Sequence, residues 1–379
     1  MALPLDAPWL TARISASCIR KEAALTIRGM RLAHLAPALI ILLAPGLAWA
    51  AASQRDVAVS TEKGLIVTAN RRVIYVLDAA SMEVKRRIWN DGIVQRLSFS
   101  RDGSRLAITD DTGRLRILDS ATWEPVKEVR DIGAAAFAPA ADVLLVRERK
   151  NRLLVLRSMT TGEELGRAAL AEDTWPVALV LSPDGKRAMA ISGALVGKEK
   201  SLPYAEWPRD FKDQVERDTF AQKNDGRHSH VVLYSWPDGK VLSEADVWYC
   251  LPMKSLPYWR DDEVVVPETG NAWAAISCKG DVRLLEWPGW YCDGLGWSPS
   301  GDCIFISRIG GYAFLRRGDK PVKVELKDGQ KLPGGLGLEQ ETFLGFGFGS
   351  DGVVFGVTSD SRIARIDKSG KLVEIKPFF

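Results

Sequence analysis

From residue 55 onward the chain repeats itself at intervals of roughly 40 residues, and no other feature constrains its fold as tightly. The clearest copy is "LSFSRDGSRLAITDDTGRLRILDSATWEPVKEV", Leu97 to Val129. An alternating apolar segment ends at Phe99, and Arg101-Asp102-Gly103 turns the chain. Segments 105–109 and 114–119 follow, then one ending at Val129, with Asp110 to Gly113 and a short loop between them. Period-two alternation punctuated by Asp/Gly turns predicts antiparallel hairpins. The first segments of successive copies end at Val59, Phe99, Phe137, Leu181, Tyr258, Trp297 and Phe348, in steps of 40, 38, 44, 77, 39 and 51 residues. The turn returns as Pro-Asp-Gly at 183–185, Pro-Ser-Gly at 299–301 and Ser-Asp-Gly at 350–352, and as Arg-Asp-Asp at 260–262. Gly or Asp there suits a left-handed conformation that bulkier residues resist.

A four-stranded unit alone cannot bury both faces of its sheet, so the units must stack on one another. Seven of them predict an all-β chain, a seven-bladed β-propeller of four-stranded antiparallel blades over 51–379. Through "SFSRDGSRLAITDDTGRLRILD" (98–119) and "VLSPDGKRAMAIS" (180–192) the chain resembles the WD-repeat and YVTN-type β-propellers, the exported bacterial type most nearly. The resemblance covers nearly everything after residue 50 and implies a fold, not an activity. The Gly-His pair and closing Trp-Asp of WD repeats are missing from every unit, so their hydrogen-bonded tetrad is not carried over. Ring closure by strand exchange is not readable, which leaves closure by simple packing.

The N-terminus reads as a targeting segment. Met30-Arg31, an apolar run from Leu35 to Leu47 and then Ala48-Trp49-Ala50 supply a basic start, a hydrophobic stretch and a small-residue cleavage site. Residues 30–50 are therefore expected to be a signal peptide, preceded by an extension or long basic region at 1–29. The apolar run, broken by Pro37 and Pro45, falls short of the about 20 residues a membrane span needs. No cysteine follows the cleavage point to take a lipid, so no stable anchor is expected after cleavage, and the mature chain is expected in the periplasm or secreted. The formal charge of +3 comes from this segment, because residues 51–379 hold 46 basic and 46 acidic side chains. A mature chain without net charge offers no electrostatic footprint for nucleic acid.

One repeat step is too long. Residues 193–229 intrude where the second and third strands of blade four should meet in a short turn. Trp207, Phe211 and Val215 are four apart after Pro208, which predicts a short amphipathic helix. Loops of this length are uncommon without a function or disorder, so Tyr204, Trp207, Phe211, His228 and His230 are candidate binding residues, the equal alternative being a stripe that packs on its own blade. In a propeller whose strands run consecutively outward, this insertion shares a face with the links between blades.

Catalytic constellations are missing. The mature chain has only His228 and His230, an H-x-H pair with Asp225 nearby, whereas a catalytic zinc site takes three protein ligands, so no metal is expected. No G-x-S-x-G elbow, C-x-x-C-H haem site or Walker lysine occurs, and no cofactor is predicted. Asp110-Asp111 and Asp261-Asp262 read as turn caps. The tryptophans, Trp236, Trp248, Trp287 and Trp290 among them, read as packing between blades, and the glycines of 332–352 read as a junction into an inner strand.

Four cysteines remain after Cys18 is removed with the leader, an even number in an exported chain, which favours disulfides. Cys250 and Cys292 begin the first strands of blades five and six on the insertion's face. Cys278 lies in the last turn of blade five and Cys303 starts the second strand of blade six, both on the opposite face. The expected pairs are Cys250–Cys292 and Cys278–Cys303, with Cys250–Cys278 plus Cys292–Cys303, or free thiols, as the alternatives. The function that follows is protein binding or scaffolding through the insertion's face, with a protein as partner. The rival is a periplasmic enzyme or enzyme subunit, resembling a quinoprotein dehydrogenase heavy subunit or a lactonase, with its site at the axial mouth.

Overall fold

The computed structural model describes residues 56–170, 175–196, 207–212, 216–217, 220, 227–248, 257–267, 273–285, 292–298, 303–307, 313–317, 320–324, 326, 341–349 and 351–378. The predicted leader and signal peptide, 1–50, lie outside these residues. Among the described residues, 28 strands form seven four-stranded antiparallel sheets. Sheet one holds β1 (Val57–Ser60), β2 (Leu65–Asn70), β3 (Val73–Asp78) and β4 (Val84–Trp89), and sheet two holds β5 (Val94–Phe99), β6 (Arg105–Asp110), β7 (Leu115–Asp119) and β8 (Pro125–Val129). Sheet three holds β9 (Ile132–Ala138), β10 (Val143–Glu148), β11 (Leu153–Ser158) and β12 (Glu164–Ala169). Sheet four holds β13 (Pro176–Leu181), β14 (Arg187–Val196), β15 (Arg227–Ser235) and β16 (Lys240–Trp248). Sheet five holds β17 (Tyr258–Arg260), β18 (Glu263–Pro267), β19 (Trp273–Ser277) and β20 (Val282–Leu285). Sheet six holds β21 (Cys292–Trp297), β22 (Cys303–Ser307), β23 (Ala313–Arg317) and β24 (Lys320–Val324), and sheet seven holds β25 (Phe343–Phe348), β26 (Val354–Thr358), β27 (Arg362–Ile366) and β28 (Leu372–Pro377).

The first strands are the innermost. β1 packs against β5 and β25, β9 against β13, β13 against β17, and β21 against β25. The apolar core is divided between neighbouring sheets, as a radial stack requires. Leu65, Val67 and Ile74 of sheet one meet Leu97, Leu106 and Ile108 of sheet two. Separate clusters join sheets two and three, three and four, four and five, and six and seven. Ile66, Tyr75 and Leu77 of sheet one meet Phe355, Val357 and Ile363 of sheet seven. The first and last sheets thus close on each other by packing, with no strand exchanged between them. Consecutive antiparallel sheets stacked around their first strands are a β-propeller.

The repeated turns hold the predicted conformation. Gly103, Gly185 and Gly352 have φ of 68°, 69° and 79°, and Asp261 has 51°. In sheets two and four one side-chain device recurs. The Ser100 hydroxyl donates to Asp102 Oδ1 at 2.7 Å and accepts the Arg105 N–H at 3.0 Å, while Asp102 Oδ1 accepts the Ser104 N–H at 3.0 Å. Ser182 and Asp184 make the same three bonds, at 2.5, 2.9 and 3.0 Å. The Ser104 N–H and then the Ser100 and Ser104 hydroxyls hold the Asp102 carboxyl down to about 2. A carboxyl depressed in the folded state contributes its stability above the unfolded value, about 4, and loses it as pH falls through the folded value. The Asp102 side-chain carbon resonance is therefore expected to titrate near pH 2; a midpoint near 4 would mean that the turn bonds do not hold its charge.

Sheet four corrects the predicted insertion. β14 and β15 continue their ladder through Ala194↔Ser229, Leu195↔His228 and Val196↔Arg227. The link between them is 197–226, shorter than the 193–229 expected, because alternating residues on both sides can go on pairing beyond the blade. The predicted helix over Trp207–Val215 is displaced as well. Residues 207–212 are not helical, with bends at 207, 209 and 212, and helical backbone occurs at Glu216, Arg217 and Phe220. Aromatic packing across the arm replaces a helical stripe: Phe220 meets Trp207 edge-to-face at 5.6 Å and Phe211 at a tilt at 5.4 Å between ring centroids.

Candidate functional site

Antiparallel strands alternate direction, so the turns between second and third strands and the links between sheets emerge on one face, here called the linker face. Ten large apolar side chains are notably exposed among the described residues. Six of them (Val126, Leu165, Val241, Leu242, Val322 and Val373) belong to the fourth strands at the outer rim, where an edge strand has solvent on its free side. The other four lie on the linker face. Trp89 ends β4, Ile93 and Trp175 immediately precede β5 and β13, and Val177 is the second residue of β13, with Trp175 49% exposed.

Polar groups on this face are mostly satisfied. Asn90 is fully buried in the link from sheet one to sheet two, where its Nδ2 donates to the Gly92 carbonyl at 2.7 Å and to Asp110 Oδ2 at 3.1 Å, and its Oδ1 accepts from Arg116. Asp111 Oδ1 accepts the Ile93 N–H at 2.7 Å, and Arg114 reaches Asp91 at 2.8 Å. Asp110 is thus the turn cap predicted, its Oδ1 accepting the Thr112 N–H at 3.0 Å, whereas Asp111 bonds to Ile93, and both tie the turn of sheet two to the link that leads into that sheet.

Arg147 breaks this pattern. It is only 6% exposed, and among the described residues its buried Nε and Nη1 have no hydrogen-bond partner. It is the penultimate residue of β10. The matching positions of sheets one, two, four and seven carry Ala69, Thr109, Ile191 and Val357, all buried. The fold therefore asks for a small or apolar side chain there, and sheet three supplies a cation. Room comes from an irregularity in the β9–β10 register between Val146 and Glu148 and from Gly133 opposite, since the guanidinium fills the space a side chain at 133 would occupy. Trp175 covers the other side, with its ring centroid 4.1 Å from Arg147 Cζ. Burial, and secondarily the charge of Arg149, pull the Arg147 pKa down to about 10, so the group is still cationic at neutral pH. A buried charge lacking a partner is destabilising. Arg147→Met is expected to raise the unfolding free energy by about 1–2 kcal/mol in urea titrations; a loss of stability would show the cation to be structurally required.

The residues singled out in the sequence are distributed differently. Tyr204, Asp225 and Cys250 lie outside the described residues. Trp207 and Phe211 pack against Phe220, as above. His228 and His230 are not loop residues but part of the β15 ladder, opposite Trp248 and Asp246, because that strand begins before them. His230 Nδ1 lies 2.8 Å from Asp246 Oδ1 and its Nε2 3.6 Å from Glu244 Oε2. Among the described residues no group of three or more His, Cys, Asp or Glu side chains is placed to hold a metal ion.

Cys278 is in the predicted turn of sheet five, but its thiol is free. It donates to the Asp262 carbonyl at 3.0 Å and accepts from Arg187 Nη1 at 2.9 Å, so the expected Cys278–Cys303 bond is not formed; the sulfur is held by sheet four's arginine instead. Cys292 and Cys303 begin β21 and β22 as placed from the repeat. Trp236 and Trp259 are buried between sheets, as predicted for packing tryptophans, whereas Trp89 and Trp175 are not. The sequence reading missed Arg147 and Trp175. The available signal was an arginine on the same strand face as Leu145, where every comparable copy has a small or apolar residue.

No protein-family model and no curated protein sequence matches the chain. Among solved structures, Kuenenia stuttgartiensis hydrazine synthase aligns at 13% identity and a TM-score of 0.48, over 70% of this chain and 76% of the other. A mitotic checkpoint complex chain aligns at 11% identity and 0.49, over 87% and 91%. Kluyvelomyces marxianus Hsv2 aligns at 11% and 0.45, over 66% and 75%.

Proposed function

We propose that this chain is an exported, seven-bladed β-propeller of the WD-repeat-like bacterial type that binds a protein partner through its linker face. The observation that carries the reading is the β14–β15 hairpin. β13 starts at Pro176, opposite Ser192, yet the β14–β15 ladder runs on to Val196. Four further residues at about 3.3 Å each carry the hairpin roughly 13 Å beyond the innermost strand. It stands beside a half-exposed tryptophan on the face where Trp89, Ile93 and Val177 are also exposed. Exposed aromatic side chains beside a projecting hairpin are the residue types that anchor protein interfaces.

Replacing 197–226 by a short Gly-Ser turn is expected to abolish capture of the partner from a periplasmic extract while thermal unfolding stays cooperative. The same partner captured by both forms would defeat the reading. Export is checked by the N-terminus of the protein recovered from the cell envelope: cleavage near Ala51 supports it, and a cytoplasmic chain retaining residues 30–50 refutes it. A Cys250–Cys292 disulfide belongs to the same proposal, and non-reducing peptide mapping that joins Cys250 to another cysteine would remove it.

A further inference from the structure

The guanidinium of Arg147 is held rather than merely buried. Gly133 gives it a flat floor, the Trp175 indole gives it a roof, and the irregular β9–β10 register gives it width. Stacking of this kind occupies the faces of a guanidinium and leaves its edge N–H groups to a hydrogen-bonding partner. Two of those edge atoms, Nε and Nη1, have none.

The carboxylate next in sequence does not serve. Glu148 points to the other face of the strand, where it binds Arg157 Nη2 at 2.8 Å and Asn151 at 3.2 Å. Among the described residues the charge acting on Arg147 is that of Arg149, of the same sign. Arg147 is thus a buried cation without an acceptor among the described residues. Nε and Nη1 lie on different edges of the guanidinium, and each edge is completed by an Nη2–H, so a carboxylate meets a two-point fork at either edge only together with Nη2.

We propose that Arg147, between Gly133 and Trp175 where sheets three and four meet, anchors a carboxylate-binding subsite that takes an acidic side chain of the protein partner. This rests on the reading of the linker face as a docking surface. It adds the chemistry of the contact: an Asp or Glu inserted under the indole, with Trp175 shifting to admit it and then packing on the inserted chain. The cost of holding an unpaired cation in the free protein is recovered in the complex, where the buried charge gains its partner.

The test uses the full chain with N-acetyl-aspartate amide as probe, N-acetyl-asparagine amide as the neutral control and inorganic phosphate as a second anion, all at constant ionic strength. The readouts are the Arg147 Nε–H resonance and tryptophan emission, with Trp175→Phe isolating one of the 13 tryptophans. The aspartate probe is expected to give a saturable response that the asparagine control does not. Arg147→Lys keeps the charge but not the fork, and should weaken the response by about tenfold or more. Arg147→Met should remove it, with far-UV circular dichroism showing an unchanged sheet signal, and Trp175→Ala tests the roof without altering the interior. No response in the wild type, an equal response in Arg147→Met, or saturation by phosphate in place of aspartate overturns the subsite. Aspartate binding combined with undiminished partner capture by Arg147→Met overturns its assignment to the partner. Loss of capture on hairpin deletion with no aspartate response keeps the docking face and eliminates this subsite.

Discussion

Glu341→Ala is expected to lower the unfolding free energy by about 3–5 kcal/mol, the cost of breaking a buried ion pair by removing one member. The Glu341 side chain has no solvent exposure and accepts from three donors: the Thr358 hydroxyl and, in a fork, Nε (2.8 Å) and Nη2 of Arg362. Thr358 is itself fully buried, and the Arg362 side chain is 22% exposed. Alanine therefore leaves a largely enclosed guanidinium without its carboxylate and a buried hydroxyl without its acceptor. The site also matters topologically. Glu341 stands just before β25, whereas Thr358 ends β26 and Arg362 starts β27, so one carboxylate fastens the start of the last innermost strand to its own sheet. Urea denaturation of the single variant and of the double variant Glu341→Met/Arg362→Met separates the two contributions. The double change should cost less than Glu341→Ala, because no charge is left behind. A loss below about 1 kcal/mol in Glu341→Ala would mean that solvent reaches the pair and screens it.

Gly347→Val should destabilise by about 3 kcal/mol, at the upper end of the overpacking range. A Cβ at 347 would stand 2.6 Å from the Val57 carbonyl oxygen and 2.8 Å from Val59 Cγ2, atoms of β1 across the junction where the last sheet meets the first. The obstructing atom is main chain of an innermost strand, so no side-chain rotation relieves it, and the junction itself must open. Gly64 provides the contrast. It has φ of 59° and nothing within 4 Å of its would-be Cβ, so Gly64→Ala should cost only about 1 kcal/mol, from backbone conformation alone. Similar losses in the two variants would show that the approach of β25 to β1 is not what sets the cost.

Both predictions concern contacts between side chains or strands that are not neighbours along the chain, and that is where sequence reading ran out. The first strands were legible because their alternation and the turn after each are local. Phe99, Leu181, Trp297 and Phe348 end β5, β13, β21 and β25 as expected from spacing. The left-handed turn at Gly103 was legible for the same reason, since its conformation depends on a handful of adjacent residues. The extension of β14 and β15 was not, because a ladder is decided by two segments finding each other's register and neither shows its length alone. The aromatic residues of the arm have the same lesson: Trp207 and Phe211 sit at helical spacing, yet their partner is Phe220.

By itself the sequence determined the repeat, its period, the residues that turn each hairpin and the balance of charge, all properties of neighbours along one chain. Only the tertiary structure decided that sheet one closes on sheet seven by packing and that Cys278 is held by Arg187 rather than by a second sulfur. It also decided that one arginine, in a position otherwise held by small or apolar residues, lies under an exposed indole without an acceptor among the described residues for its buried N–H groups. The physical reason is the same in each case. Burial, pairing and stacking are relations between groups brought together by the ring, and a pattern along the chain records which residues are available without recording which of them meet.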